Sequence, residues 1–145
     1  MCCRNGFKGN NLGICIDYCH ANLVCLPQKY AFEFLVFCQR NPKAFPLLEV
    51  TDKGLYSPNI VFNQEIDLRT DLGQYRVYEY GDSRHEEIYE VTKYWRDDLV
   101  SYIFGCSHTF DYLLGMNGVE QRRLNENKYA ALYLTNIQCR PSGSF

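Results

Sequence analysis

The feature that most constrains this chain is the run from Trp95 to Met116, WRDDLVSYIFGCSHTFDYLLGM. It is the longest amphipathic stretch, and it holds the only Trp. Leu99, Ile103, Phe110 and Leu113 or Leu114 recur at roughly helical spacing, which predicts helix across 95–116. Asp97 and Asp98 then fall in the first turn, where negative charge suits the helix dipole, and Gly118 supplies a stop. Gly105-Cys106-Ser107 interrupts the run, and an interior Gly costs about 1 kcal/mol relative to Ala. Two readings follow. Three small residues let another element pack closely, or the helix ends and restarts there. A restart makes Ser107 an N-cap and turns backbone N–H groups outward, ready for a carboxylate or other anion.

A chain of 145 residues fits one domain with a real core. Apolar residues make up 46% and aromatics 15%, a globular composition. The net charge of −2 offers no basic field, so nucleic acid is not an expected partner. No apolar run approaches the ~20 residues of a membrane span. The N-terminus MCCRNGFKGN has no hydrophobic signal region. The expected location is therefore intracellular, in cytoplasm or mitochondrial matrix, without a clear transit peptide. Eight Cys occur without any CxxC, and His20, His85 and His108 make no zinc-type spacing with them. The expectation is thiols, no metal site and no organic cofactor. Cys25 and Cys38 lie in apolar runs and read as small buried hydrophobes.

Residues 5–19 read as loop. Ala21 to Leu26 reads as a buried strand. Pro27 opens a helix over 28–40, with Ala31, Phe34, Leu35 and Cys38 as its apolar face and Asn41-Pro42 as its stop. Leu47 to Val50 is a second short strand. Asp67-Leu68-Arg69-Thr70-Asp71-Leu72 admits two readings: a turn whose Asp side chains cap backbone N–H groups, or an Arg held by flanking carboxylates so that it faces a ligand carboxylate. Gln74 to Tyr80, a turn at Gly81-Asp82 and a return over Ile88 to Val91 suggest a hairpin. Tyr129 to Ile137 reads as a last strand. The order predicts an α+β fold: one domain, a mixed sheet and a few packed helices.

Several segments together resemble the D-glutamate cyclase family, whose bacterial members are often called hydro-lyases. They are Ala21-Asn22-Leu23, Phe37 to Pro42, Pro46 to Val50, Asp67 to Leu72, Tyr75 to Tyr78 and Trp95 to Val100. Gly105-Cys106-Ser107 with Thr109-Phe110, Thr135-Asn136-Ile137 and Cys139-Arg140-Pro141 complete the set. They stand in the family's order across nearly the whole chain. The resemblance implies the N-terminal half of a larger family domain. Leu134 stands where the family tends to carry a basic residue.

The resemblance implies an acidic substrate, D-glutamate, whose amine attacks its own side-chain carboxyl group to give 5-oxo-D-proline and water. Such a site needs cations for carboxylates, a base for the ammonium proton, an acid for the departing hydroxide and donors for the oxyanion. By residue type, Arg69 and Arg140 can clamp a carboxylate, with Asn136 as a further contact. Asp71 and Asp98 are candidates for proton transfer, although Asp98 also suits a cap or an ion pair with Arg96. Cys106 and Ser107 can supply an oxyanion site, and Cys106 at a helix start can act as a nucleophile. Arg69 and the Gly105–Ser107 break are expected to meet in one cleft near Asn136 or Arg140. Three functions compete: an active lyase, a truncated relative that folds or binds without turnover, and a small interaction module. Self-association through exposed apolar surface belongs to the second.

Overall fold

Pro27 sits where the first strand becomes the first helix. Strand β1 (Ala21–Pro27) ends with Pro27 extended, at φ −58° and ψ 142°, and helix α1 (Gln28–Arg40) starts at the next residue. The computed structural model describes residues 6–9, 18–60, 66–83, 87–126 and 134–145. The helix ends as expected at Asn41, whose Nδ2 donates to the Phe37 carbonyl at 2.8 Å. Strand β2 (Leu47–Val50) follows, then a two-residue hairpin pair, β3 (Tyr78–Glu79) and β4 (Asp82–Ser83). Strand β5 (Leu99–Gly105) leads through a 3-10 turn, Ser107–Phe110, into helix α2 (Asp111–Met116) and a last short helix, α3 (Arg122–Asn125). The architecture is α+β: a small sheet with a few helices.

The main sheet has the order β1-β5-β2. β5 is antiparallel to both neighbours, so β1 and β2 run parallel to each other on either side of it. Cys106 N–H donates to the His20 carbonyl, and Gln28 N–H donates to the Asp98 carbonyl. In an antiparallel ladder bonded pairs alternate. The even-numbered residues of β5 therefore bond β1, and the odd ones bond the β2 side, as Thr51 N–H to the Ser101 carbonyl and Gly54 N–H to the Leu99 carbonyl show.

This overturns the helix expected across the first half of the Trp95–Met116 run. Leu99–Gly105, LVSYIFG, is the central strand, and no helix begins at Asp97 or Asp98. A short run buried on both faces carries no period that separates strand from helix. Its Val, Tyr, Ile and Phe favour the pleated surface. The second half does turn helical after the Gly-Cys-Ser triplet. However, Cys106, at φ −121° and ψ 138°, holds the cap position without a side-chain bond, and Ser107 is already inside the turn.

The core lies between α1 and one face of the sheet. Phe34, Cys38, Val100, Tyr102 and Phe104 are its buried members. The Phe34 ring meets Tyr102 edge-on at 4.9 Å and the C-terminal Phe145 at 5.0 Å. The Tyr102 hydroxyl donates to the Ala31 carbonyl at 2.6 Å. The last residues strap onto α1: Arg140 N–H donates to Asn41 Oδ1, Asn41 Nδ2 donates to the Arg140 carbonyl, and Ser144 N–H donates to Glu33 Oε2. On the opposite sheet face Ser101 and Ile103 are also buried. The five described cysteines, Cys19, Cys25, Cys38, Cys106 and Cys139, are all unpaired thiols.

The hairpin expected within 74–91 is only partly formed. Tyr75 and Ile88 make one antiparallel bridge, and the tight turn is Tyr80-Gly81, not Gly81-Asp82. Both turn residues have positive φ, 54° and 91°. That is the requirement of a hairpin turn matched to strand twist. Of the strand expected over Tyr129 to Ile137, residues 129–133 lie outside the described residues, and Leu134 to Ile137 are exposed without strand pairing.

Phe34→Ala is expected to cost about 3–5 kcal/mol, because one ring fills the space between α1, β5 and the C-terminal strap; urea denaturation followed by circular dichroism measures it. Burial pushes the Tyr102 phenol up to about 12. The unfolded chain ionises near the ordinary pKa of about 10. Its contribution to stability is thus fully present below about pH 10 and is lost as pH rises toward about 12. Denaturation midpoints across that window should fall less steeply in Tyr102→Phe than in the parent chain.

Candidate active site

The Asp67–Leu72 segment closes on itself. Asp71 Oδ2 accepts the Asp67 N–H at 3.0 Å, and Asp67 Oδ1 accepts the Arg69 N–H at 2.9 Å. Asp67 also grips the Arg69 guanidinium through Nε and Nη2, the latter at 2.6 Å. The guanidinium carbon lies 3.6 Å from the Tyr56 ring centre, a stacking arrangement. The aspartates cap the turn, as the first reading has it, and Asp67 also fixes the arginine, which stacks on Tyr56 and does not line the groove described below. The turn is tied down by Leu68 N–H to the Tyr56 carbonyl and Val91 N–H to the Arg69 carbonyl.

Beyond this turn a groove of about 950 Å³ runs along the outer side of β1. Its floor is β1 from Ala21 to Pro27. A wall of Leu72 to Glu79, together with Val91, Lys93 to Arg96 and Leu99, completes the lining. Gly9 and Gly73 meet in the wall through Gly9 N–H to the Gly73 carbonyl. A Cβ on Gly73 would stand 2.4 Å from the Gly9 carbonyl oxygen, so only glycine permits this contact. Arg76, Lys93 and Arg96 line the groove against a single carboxylate, Glu79. The groove is thus locally cationic in a chain whose net charge is −2. Arg96 is bound by Asp98 through Nε at 2.7 Å and Nη2 at 3.0 Å. These bonds hold the Asp98 carboxyl below its ordinary range.

At the Ala21 end, β5 turns into α2. The Thr109 hydroxyl accepts the His20 N–H at 3.0 Å. His108 Nδ1 and Asp111 Oδ2 lie 2.8 Å apart with both side chains largely buried, a carboxylate-oriented imidazole beside Cys106 and Ser107. The His108–Asp111 pair was not among the sequence candidates. Its i,i+3 spacing was the available signal, but the strand-to-helix turn that seats it was not foreseen.

The sequence candidates do not converge as expected. Arg69 is anchored through Tyr56 near Gly54, which pairs with Leu99 at one end of β5. Gly105-Cys106-Ser107 lies at the other end, about 20 Å away along the strand. Asp98 is at the Leu99 end in its ion pair, while Asp71 is committed to the turn. Arg140 and Asn136 are exposed, and the Arg140 backbone is bonded to Asn41 at the end of α1. What the fold does bring together is four of the family-like segments: Ala21 to Leu23, Leu72, Tyr75 to Tyr78, and Trp95 with Arg96 all border the one groove.

The chain belongs to the D-glutamate cyclase family. The family's sequence profile, described as D-glutamate cyclase, matches residues 100–145, from within β5 to the C-terminus. A protein of Oceanobacillus iheyensis named as a "Putative hydro-lyase" is 40% identical over 139 residues, covering 96% of this chain and 54% of its own length. Proteins with the same designation from Streptomyces avermitilis and Natranaerobius thermophilus are 43% and 44% identical, over 97% and 96% of this chain and 50% and 52% of their own. The chain thus spans about half the length of the curated relatives it matches.

Asp67→Ala removes the acceptor of the Arg69 guanidinium and of the Arg69 N–H together. The pair is partly exposed, so the expected loss is about 1–2 kcal/mol. Asp71→Asn keeps an acceptor for the Asp67 N–H and should cost under about 1 kcal/mol. Urea titration of both variants checks the order.

Proposed function

We propose that the groove along β1 is the acidic-substrate site of a family domain interconverting D-glutamate with 5-oxo-D-proline and water. The observation that carries this reading is the cationic lining of Arg76, Lys93 and Arg96, drawn from segments that match the family and set in a net-acidic chain. A dicarboxylate needs two such contacts, and Arg offers a two-pronged one. Cyclisation then forms a bond from the α-nitrogen to the side-chain carboxyl carbon and breaks a carbon–oxygen bond there. The ammonium nitrogen gives up two protons in all, and both leave with the departing carboxylate oxygen as water. Asp98, kept ionised by Arg96, is suited to positioning Arg96 more than to accepting a proton. Asp71, Cys106 and Ser107 remain candidates for proton transfer and oxyanion donation, and the His108–Asp111 pair joins them as a candidate acid–base group, although none of these residues lines the groove.

A second reading is favoured by one observation: the chain spans about half of its matched relatives. In that reading it folds or binds its ligand without turnover. The groove agrees, since one five-carbon amino acid fills only a small part of about 950 Å³. Leu134, where the resemblance has a basic residue, removes a further charge-assisted bond of about 1.5–3 kcal/mol, a tenfold loss or more.

Purified residues 1–145 incubated with D- and L-glutamate should therefore form little 5-oxoproline by chromatography. Binding of D-glutamate by calorimetry should weaken about tenfold in Arg76→Ala. Robust, D-selective turnover by the monomer would overturn the second reading, and unchanged binding in Arg76→Ala would overturn the placement of the site.

A further inference from the structure

The two edges of the main sheet are treated differently. β2 has four residues with a bulge between Leu47 and Glu49. On that side Glu49 turns its carboxylate onto the N–H groups of Asn59 and Ile60, at 2.7 and 2.6 Å. A short, bulged, overlaid strand is a protected edge. β1 has seven residues in unbroken register with β5. Its even residues spend their N–H and C=O groups on β5, so those of Ala21, Leu23 and Cys25 point outward into the groove. Among the described residues no backbone partner meets them. Only Pro27, which has no N–H, blunts this edge.

The groove beside that edge has a volume comparable to that of one extended segment. A strand of β1's length is about 20 Å long, and at ~4.8 Å strand spacing and ~10 Å layer depth it sweeps roughly 1,000 Å³. The groove measures about 950 Å³. The matched relatives carry about as much chain again outside the matched half.

We propose that the outer edge of β1 is a strand-acceptor slot, filled by an extended segment from the other half of a family domain. The segment lies between β1 and the Leu72–Glu79 wall and extends the sheet by one strand through the backbone groups of Ala21, Leu23 and Cys25. This is strand addition, in which main-chain bonds give affinity and alternate side chains give specificity. The slot is defined by backbone geometry and stands whether or not the reaction is glutamate cyclisation.

The test uses the full 145-residue chain and overlapping 15-residue peptides covering the unmatched half of the Natranaerobius thermophilus relative. Hydrogen exchange with residue resolution is read at Leu23 and Cys25, with Val24, already bonded to β5, as the internal control. The expected result is rapid exchange at Leu23 and Cys25 in the chain alone. At least one peptide should slow them tenfold or more and leave Val24 unchanged. Leu23→Pro keeps the β1–β5 ladder, removes one outward N–H and crowds the slot, and should weaken that peptide about tenfold. If Leu23→Pro fails to fold, the exchange data on the parent chain still decide. Slow exchange at Leu23 and Cys25 in the dilute monomer would mean that the edge is already covered by this chain, and the proposal falls. Protection that appears only with rising chain concentration would assign the edge to a second copy. Binding of a peptide without protection at Leu23 and Cys25, or no binding by any peptide, would equally overturn it.

Discussion

The hydrogen-bond ladder on both sides of β5 is the constraint on which the rest depends. Each peptide group of Leu99–Gly105 is committed alternately to β1 and to the β2 side. Without that strand neither neighbour has a partner, since β1 and β2 do not touch each other in the sheet. The same alternation sends Val100, Tyr102 and Phe104 to the α1 face and Ser101 and Ile103 to the other. The edge-on contacts of Phe34 with Tyr102 and Phe104 fix the helix over the sheet. Phe145 then closes the core from the C-terminal strap.

Charged and polar groups gather at the two ends of this strand. The Leu99 end holds the Arg96–Asp98 pair and, through Gly54 and Tyr56, the Arg69–Asp67 pair. The Gly105 end holds Cys106, Ser107, Thr109 and the His108–Asp111 pair. The groove joins the two ends along β1. Its cations come from sequence positions 76, 93 and 96, none of which forms a charge run, so the positive field exists only because the wall and the end of the groove fold toward each other. Asp67 and Asp98, each paired with an arginine, position cations, and the Arg96 guanidinium holds the Asp98 carboxyl below its ordinary range, so Asp98 is poorly suited to take a proton.

Much of this was legible in advance. Pro27 and Asn41-Pro42 bracketed α1, and β2 was read at its observed residues. Cys38 is buried as a small hydrophobe. The capping of the Asp67–Asp71 turn by its own carboxylates is legible in the sequence. The Arg96–Asp98 pair was named as an alternative for Asp98. The expected convergence of Arg69 with Gly105–Ser107 rests on donor chemistry alone; the fold ties Arg69 through Tyr56 and Gly54 toward the Leu99 end of β5, and the triplet stands at the other end of that strand, about 20 Å long. The His108–Asp111 pair went unseen because its burial depends on where the strand ends.

The sequence by itself determined the elements bounded by local chemistry: a helix opened after proline and stopped before another, short apolar strands, a carboxylate-capped turn, and membership in the D-glutamate cyclase family. Those signals reside in backbone dihedral limits and neighbouring hydrogen-bond groups, which act over a few residues. Only the tertiary structure decided that Leu99–Gly105 is a strand, that β1 keeps an open edge and that dispersed cations share one groove. Those outcomes depend on partners far away in the chain, and a short buried run has no period of its own to announce which partner it will take.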